Sequence, residues 1–231
     1  MVKPGDTVAL PAMGEPTGNE AGSEKRDCER NAAKRWLSKR AAEHARLRPT
    51  LLGDDLFSCQ PMCEAALACG LSFIFTRKPQ SHPWLAETVA NSVPGEKTKR
   101  EWNGRRHVLW RWQWLNGVEL RDSPDALKVD YAHLEITNEK TGKTVFRNGW
   151  ATDKAVTADN VALIASCGRA RWKIENERNS ALKNHGYNLR HNFGRGQDRA
   201  SEMCCLLNLL AFLWHGILML LDEGCQRARA S

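Results

Sequence analysis

The stretch "TLLGDDLFSCQPMCEAALACGLSFIFTRKP", residues 50–79, decides how this chain folds. "TLLGDD" (50–55) reads as a short buried strand that ends in two aspartates, and Pro49 separates it from what precedes. "PMCEAALACG" (61–70) has helix character, with Pro61 suited to a first turn and Gly70 to a C-terminal cap. "LSFIFTRK" (71–78) is rich enough in aromatic and apolar residues for a second strand, stopped by Pro79. Upstream, residues 25–47 carry a helical pattern with Ala32, Ala33, Trp36 and Leu37 as its apolar stripe. Helix, strand, helix, strand in this order predicts an α/β layer with a parallel pair of strands.

Outside this block the texture changes. Residues 1–24 are rich in Gly, Pro and small residues and read as a loop-like lead. In "RRHVLWRWQWL" the apolar residues fall at 108, 110, 112 and 114, the period of a half-exposed strand. Turn signals at Asn116-Gly117, Ser123-Pro124 and Thr141-Gly142-Lys143 punctuate further strand-like runs, which predicts an antiparallel meander. Helix resumes near 159 and runs to about 222, broken around 185–197. The resulting division is a lead (1–24), a partial α/β core (25–94), a β-rich insertion (95–152) and a helical C-terminal part of the core (153–231).

The 231 residues are 42% apolar and 26% charged, an ordinary globular composition that excludes a disordered chain. Net charge is +7, which points to a polyanionic partner, nucleic acid before membrane. The cations cluster: segment 25–48 holds nine Lys/Arg, 97–111 holds six and 169–199 holds eight, together 23 of the 34. Three such windows suit a phosphate-binding surface, although each alone reads as a solvated face. The eight cysteines include no CxxC pair and no zinc-module spacing, so they are expected as reduced thiols packed like small hydrophobes. No secretory leader is recognisable, and a bacterial cytoplasmic, nucleoid-associated location is expected. Residues 203–221 are uncharged and long enough to span a bilayer. Asn208 and His215, on one helical face, would each be costly in lipid, so a buried helix and no membrane partner are expected.

Two acidic positions stand out. Adjacent aspartates in a loop are usually caps or solvated turns, but Asp54 closes a strand where open α/β sheets place their ligands. Glu175 sits in "GRARWKIENERNSALKNHGY" (168–187) among Arg169, Arg171, Lys173, Arg178 and Lys183. At about 100° per residue, Val161, Ile164, Arg171, Arg178 and Leu182 fall on its side of a helix, with Arg171 its i−4 neighbour. The bland reading is a surface Arg–Glu pair of little energetic weight. The sharper one is a carboxylate that holds a divalent metal, with cations alongside to receive a phosphodiester.

"GRARWKIENERNSALKNHGYNLRHNFGRG" followed by "LLNLLAFLWH", together with "LLGDDLFSCQPMCEAALACGLSFIFTRKPQSHPWL", resembles the DDE transposases of bacterial insertion sequences, in the branch with a Tyr-Arg-Glu-Lys signature. The resemblance runs from about residue 25 to 221 and is loose through the meander. It implies an α/β, ribonuclease-H-like (integrase-like) core with a β-rich insertion and C-terminal helices. It also implies an Asp, Asp, Glu triad binding two Mg²⁺ ions, for which Mn²⁺ can substitute. Carried over residue by residue, Asp54 is the second aspartate, with Asp55 as the competing assignment, and Glu175 is the third acid. Both Asp54 and Glu175 then serve as catalytic metal ligands, and Arg171, Arg178 and Lys183 as DNA-binding cations.

The signature departs in two places. Gly168 stands where the tyrosine is expected, and Leu182 where the lysine is expected, with Lys183 one position late. Trp172 reads as a packing anchor, and His185, Tyr187 and His191 as loop residues within reach of DNA. The family's first aspartate has no matching strand here, since Asp6 in "GDTVAL" lacks its flanks. The expectation is therefore an N-terminally incomplete transposase with impaired activity, partnered by element-end and target DNA and dimeric when intact. The alternative is a remnant that binds nucleic acid without cutting it.

Overall fold

The computed structural model describes residues 1–2, 4, 10–12, 14–15, 28–173, 179–184, 186–189 and 200–230. The chain forms two compact units, one of residues 28–168, the other of residues 1–27 with 169–231.

The first unit begins with the helix–strand–helix–strand run. Helix α1 (Glu29–His44) buries Ala32, Leu37 and Ala41 on one stripe. A 3₁₀ turn (Ala45–Leu47) follows, and strand β1 (Thr50–Gly53) then lies parallel to β2 (Ser72–Arg77), with Thr50 opposite Ser72 and Gly53 opposite Phe75. Helix α2 (Gln60–Ala68) makes the crossover between them, with Pro in its first turn. Gly70 closes it, its amide donating to the Leu67 carbonyl at 2.9 Å. Helix α3 (Pro83–Ala90) follows β2 and again starts at a proline. The expectation of a buried first strand needs correcting. β1 is the outermost strand of the sheet, and among its residues only Gly53 is fully buried, because one of its edges has no described neighbour.

The predicted meander exists and belongs to the same sheet. Strands β3 (Gly95–Trp102), β4 (His107–Glu119), β5 (Lys128–Asn138) and β6 (Thr144–Thr152) pair antiparallel in sequence, and β6 docks antiparallel on β2. The six-stranded order is β1-β2-β6-β5-β4-β3, a mixed sheet. Strand alternation then sorts its side chains. Phe73, Phe75, Val129 and Ala151 pack with Leu37, Met62, Cys63 and Leu85 from α1, α2 and α3. On the other face Ile74, Trp112, Leu134 and Trp150 pack with Val161, Ile164 and Ala165 from helix α4 (Val161–Ala170). This unit is thus a mixed α/β layer structure with helices on both faces of its sheet.

One predicted turn is not a turn. Asn116-Gly117 lies inside β4, where the register with β5 shifts between Leu115 and Val118. Gly117 takes the left-handed conformation, φ +68°, that this bulge requires, and its amide donates to Asp130 Oδ1 at 2.7 Å. Asn116 leaves the ladder and pairs with the backbone of Val156, donating to its carbonyl at 2.9 Å and accepting from its amide at 3.2 Å. The hairpin reverses later, around Ser123-Pro124, as expected.

In the second unit, α5 (Asn179–Asn184), α6 (Ala200–Leu221) and α7 (Glu223–Ala230) are the described helices. The described residues of 1–15 form no helix or strand, in keeping with a loop-like lead. The expectation that 203–221 is a buried helix is overturned. Within Glu202–Leu221, a 20-residue stretch of mean hydropathy 2.1, no residue is buried. Met203, Leu207, Leu210, Trp214 and Leu221 are all more than half exposed. The most exposed of these residues share one face of the helix at three- and four-residue spacing, and the remaining apolar positions are partly covered. By length and composition this helix is able to cross a membrane.

The Asn116–Val156 pair ties the bulge to the segment that leads into α4. Asn116→Ala removes both hydrogen bonds and is expected to cost about 1–2 kcal/mol in urea unfolding, with an unchanged denaturant slope.

Candidate active site

Asp54 follows directly on Gly53 at the carboxyl end of β1. Leu51 packs with the cluster on the α1–α2 face and Leu52 with the cluster on the α4 face. Carried on beyond the strand end, that alternation gives Asp54 the α4 side. Its Oδ1 accepts the Leu56 amide at 3.0 Å, a local turn bond that leaves Oδ2 with no partner among the described residues. A half-buried carboxylate with one uncommitted oxygen suits a divalent cation.

Asp55 is differently employed. Its Oδ1 accepts the Lys78 amide at 2.8 Å, and His82 Nε2 lies 3.1 Å away. Burial pushes the Asp55 carboxyl up. The hydrogen bonds from Ser81 and the Lys78 amide outweigh this, helped by the charges of His82 and Lys78, and hold it below the usual carboxylate value. His82 is itself held low by burial and by the field of Arg77, against the pull of Asp55. Asp55 therefore fastens the loop after β2 to the end of β1, and of the two aspartates Asp54 is the one with an oxygen to spare.

The other half of the predicted site begins on α4. Gly168, where the signature has tyrosine, rests on the indole of Trp150. A Cβ built there would meet Trp150 Cε2 at 2.6 Å and Cδ1 at 2.7 Å. Trp150 is fully buried, so the ring cannot yield. The tryptophan fills the space that a side chain at 168 would need, so this position takes only glycine.

Arg171 directly follows α4 and is half-buried. Trp172, expected as a packing anchor, is 59% exposed. Glu175 and Arg178 lie outside the described residues, as do Lys173's successors up to 178, His185 and His191. Leu182, at the signature's lysine position, is buried at 4% exposure, whereas Lys183 is exposed on α5. A lysine at 182 would bury its charge. Tyr187, read as a loop residue within reach of DNA, hydrogen-bonds His215 Nδ1 at 2.5 Å and packs edge-on against Phe212. Among the described residues no group of three or more His, Cys, Asp and Glu is placed to hold a metal ion. The cysteines are free thiols, and burial pushes that of Cys63 up to about 12, which fits the expected packing role.

The basic window 97–111 is less available than its count suggests. In 97–111, Lys97 donates to the Ala158 carbonyl, Lys99 pairs with Glu101, Arg100 with Glu139 and Arg111 with Glu96. Four of the six cations are thereby engaged within the sheet and its flanks, so this window favours the bland reading of a solvated face. The residue that sequence reasoning passed over is Arg77, a cation at the end of the apolar run "FIFT" and only 4% exposed. A charge that closes a buried strand was the available signal.

The chain matches no protein-family model, and no curated protein matches it.

Two outcomes follow from this geometry. Because the folded Asp55 carboxyl is held low, its contribution to stability is full above the ordinary carboxylate value of 3.8 and is lost as pH falls through its lower folded value. Asp55→Asn should lower stability at pH 7 by about 1–3 kcal/mol and flatten the loss of stability below pH ~4 in acid-titrated unfolding. Gly168→Ala should cost about 1–3 kcal/mol by chemical denaturation, since neither the helix nor the indole has room to move.

Proposed function

We propose that this chain is a transposase-family protein that acts on DNA by metal-dependent phosphodiester cleavage and strand transfer. The observation that carries the reading is Asp54 directly after β1, with one carboxylate oxygen unpartnered among the described residues, in a unit whose helix α4 leads in sequence into Arg171 and Glu175. A ribonuclease-H-like core is the finer fold reading. Its support is the parallel β1–β2 pair, the helices on both faces and a β-rich insertion ahead of α4.

Asp54 and Glu175 would hold Mg²⁺, which when bound supplies the polarisation of the phosphodiester and of the attacking oxygen. Asp54 is already oriented for this by its bond to the Leu56 amide, which fixes the carboxylate without spending its second oxygen. Arg171, Arg178 and Lys183 would meet the backbone phosphates. The family's triad also takes a first aspartate, for which the resemblance assigns no residue here, so the expected activity is weak.

The test is nicking of an end-labelled DNA duplex by the purified chain with Mg²⁺ or Mn²⁺. Slow metal-dependent nicking is expected, reduced about a hundredfold or more by Asp54→Asn and by Glu175→Gln, with DNA retention by gel shift unchanged. DNA binding with no nicking in either metal would replace this reading with a non-catalytic binding protein. No binding at physiological salt would remove both.

A further inference from the structure

On the face of the sheet away from α4, a cavity of about 360 Å³ opens between the start of α2, the end of β2 and the β4–β5 connection. Ser58, Gln60, Arg77, His82 and Arg121 are among its lining residues. Arg77 is the buried cation there. Its Nη2 donates to the Leu120 carbonyl at 3.3 Å, while Nε and Nη1 are buried with no hydrogen-bond partner. Ser58 Oγ, on a residue only 1% exposed, is likewise buried without one. A guanidinium that keeps its charge away from water and has only one of its three nitrogens hydrogen-bonded is costly unless something accepts from the rest.

Most acceptors around the cavity are engaged, and Glu64 Oε2, which has no partner among the described residues, belongs to a side chain exposed at the mouth. Glu64 Oε1 receives Gln60 Nε2 at 2.8 Å, and Asp125 receives Arg121 at 2.5 Å and the Ser123 hydroxyl. Asp55 is occupied by Lys78, Ser81 and His82. Glu64, Arg121 and Asp125 are moreover exposed at the mouth, where solvent and salt screen them. Gln60 is fully used, its carbonyl accepting from Arg121 Nε at 2.9 Å and from the Leu127 amide at 3.1 Å, so it holds the wall in place. In the buried part of the cavity the Arg77 and Ser58 donors remain unspent, and Arg77 stays protonated at neutral pH, since burial brings it down only to about 10.

We infer that this cavity is a binding site for a phosphate-type oxyanion, held by the Arg77 guanidinium and the Ser58 hydroxyl. Arginine donors match such a group in geometry and charge, and a buried setting strengthens the contact. The inference stands on this cavity alone and does not rest on the transposase reading.

The experiment is a titration of the full chain with inorganic phosphate, followed by thermal melting and calorimetry, with ionic strength held constant by chloride. A saturable rise in Tm is expected. It should be lost in Arg77→Met, and the affinity should be weakened about fivefold in Ser58→Ala. The absence of a saturable response in the native chain, or a response retained unchanged in both variants, would overturn the proposal. If circular dichroism finds Arg77→Met unfolded, the Ser58→Ala affinity alone decides. Competition identifies the source of the phosphate. Displacement by a 5′-phosphorylated oligonucleotide but not by its 5′-hydroxyl counterpart means that the cavity takes a strand end. Displacement by neither means that it takes the free ion.

Discussion

The contact between Gly168 and Trp150 is the constraint on which the rest of the candidate site depends. Trp150 belongs to β6, the strand that joins the meander to the parallel pair, and its indole stands on the face covered by α4. A helix can settle on a ring of that size only where its own surface is bare, and glycine supplies the bare patch. The depth of α4 on the sheet, and hence the point from which the chain leaves toward Arg171, is set there.

Strand β2 is the second shared element. One of its edges takes β1 in parallel and the other takes β6 antiparallel. Its two faces feed different clusters, Phe73 and Phe75 against α1–α3 and Ile74 against α4. Its last residue, Arg77, carries a charge into the first of these layers, and the loop beyond it is fastened back to Asp55 through the Lys78 amide. A single six-residue strand thus connects the aspartate pair, the arginine cavity and the helix-bearing face.

What could be read from the sequence was what is decided locally. Pro61, Gly70 and Pro79 punctuate α2 and β2, and their effects reach only a residue or two, so the βαβ order was legible. Asn116-Gly117 was misread because the same dipeptide serves a tight turn and a bulge. The partners that choose between them, Asp130 and Val156, are remote in sequence. β3 escaped notice because an edge strand such as "GEKTKREW" is exposed on both faces and shows no alternation. For α6 the all-round apolar pattern fixed a helix but not what would cover it. Within the candidate site, Asp54 and Asp55 could not be separated by sequence, since the distinction lies in contacts from Lys78 and His82. Glu175 could be placed only by helical period, and it falls outside the described residues.

The β2–β6 junction has a consequence for how the unit assembles. The meander from β3 to β6 is built from neighbouring hairpins, and the β1–α2–β2 run is also local, so each half forms from short-range contacts. Joining them requires Ile74 to find Thr152, which closes a loop running through the whole meander. That closure is entropically expensive and sets the pace of non-local sheets. Until it is made, Trp150 has no α4 to cover it and β2 keeps an open edge. During synthesis, then, the first half of the unit waits with an unpaired strand until the second has left the ribosome, and that interval is when this chain is most exposed to pairing with another copy of itself.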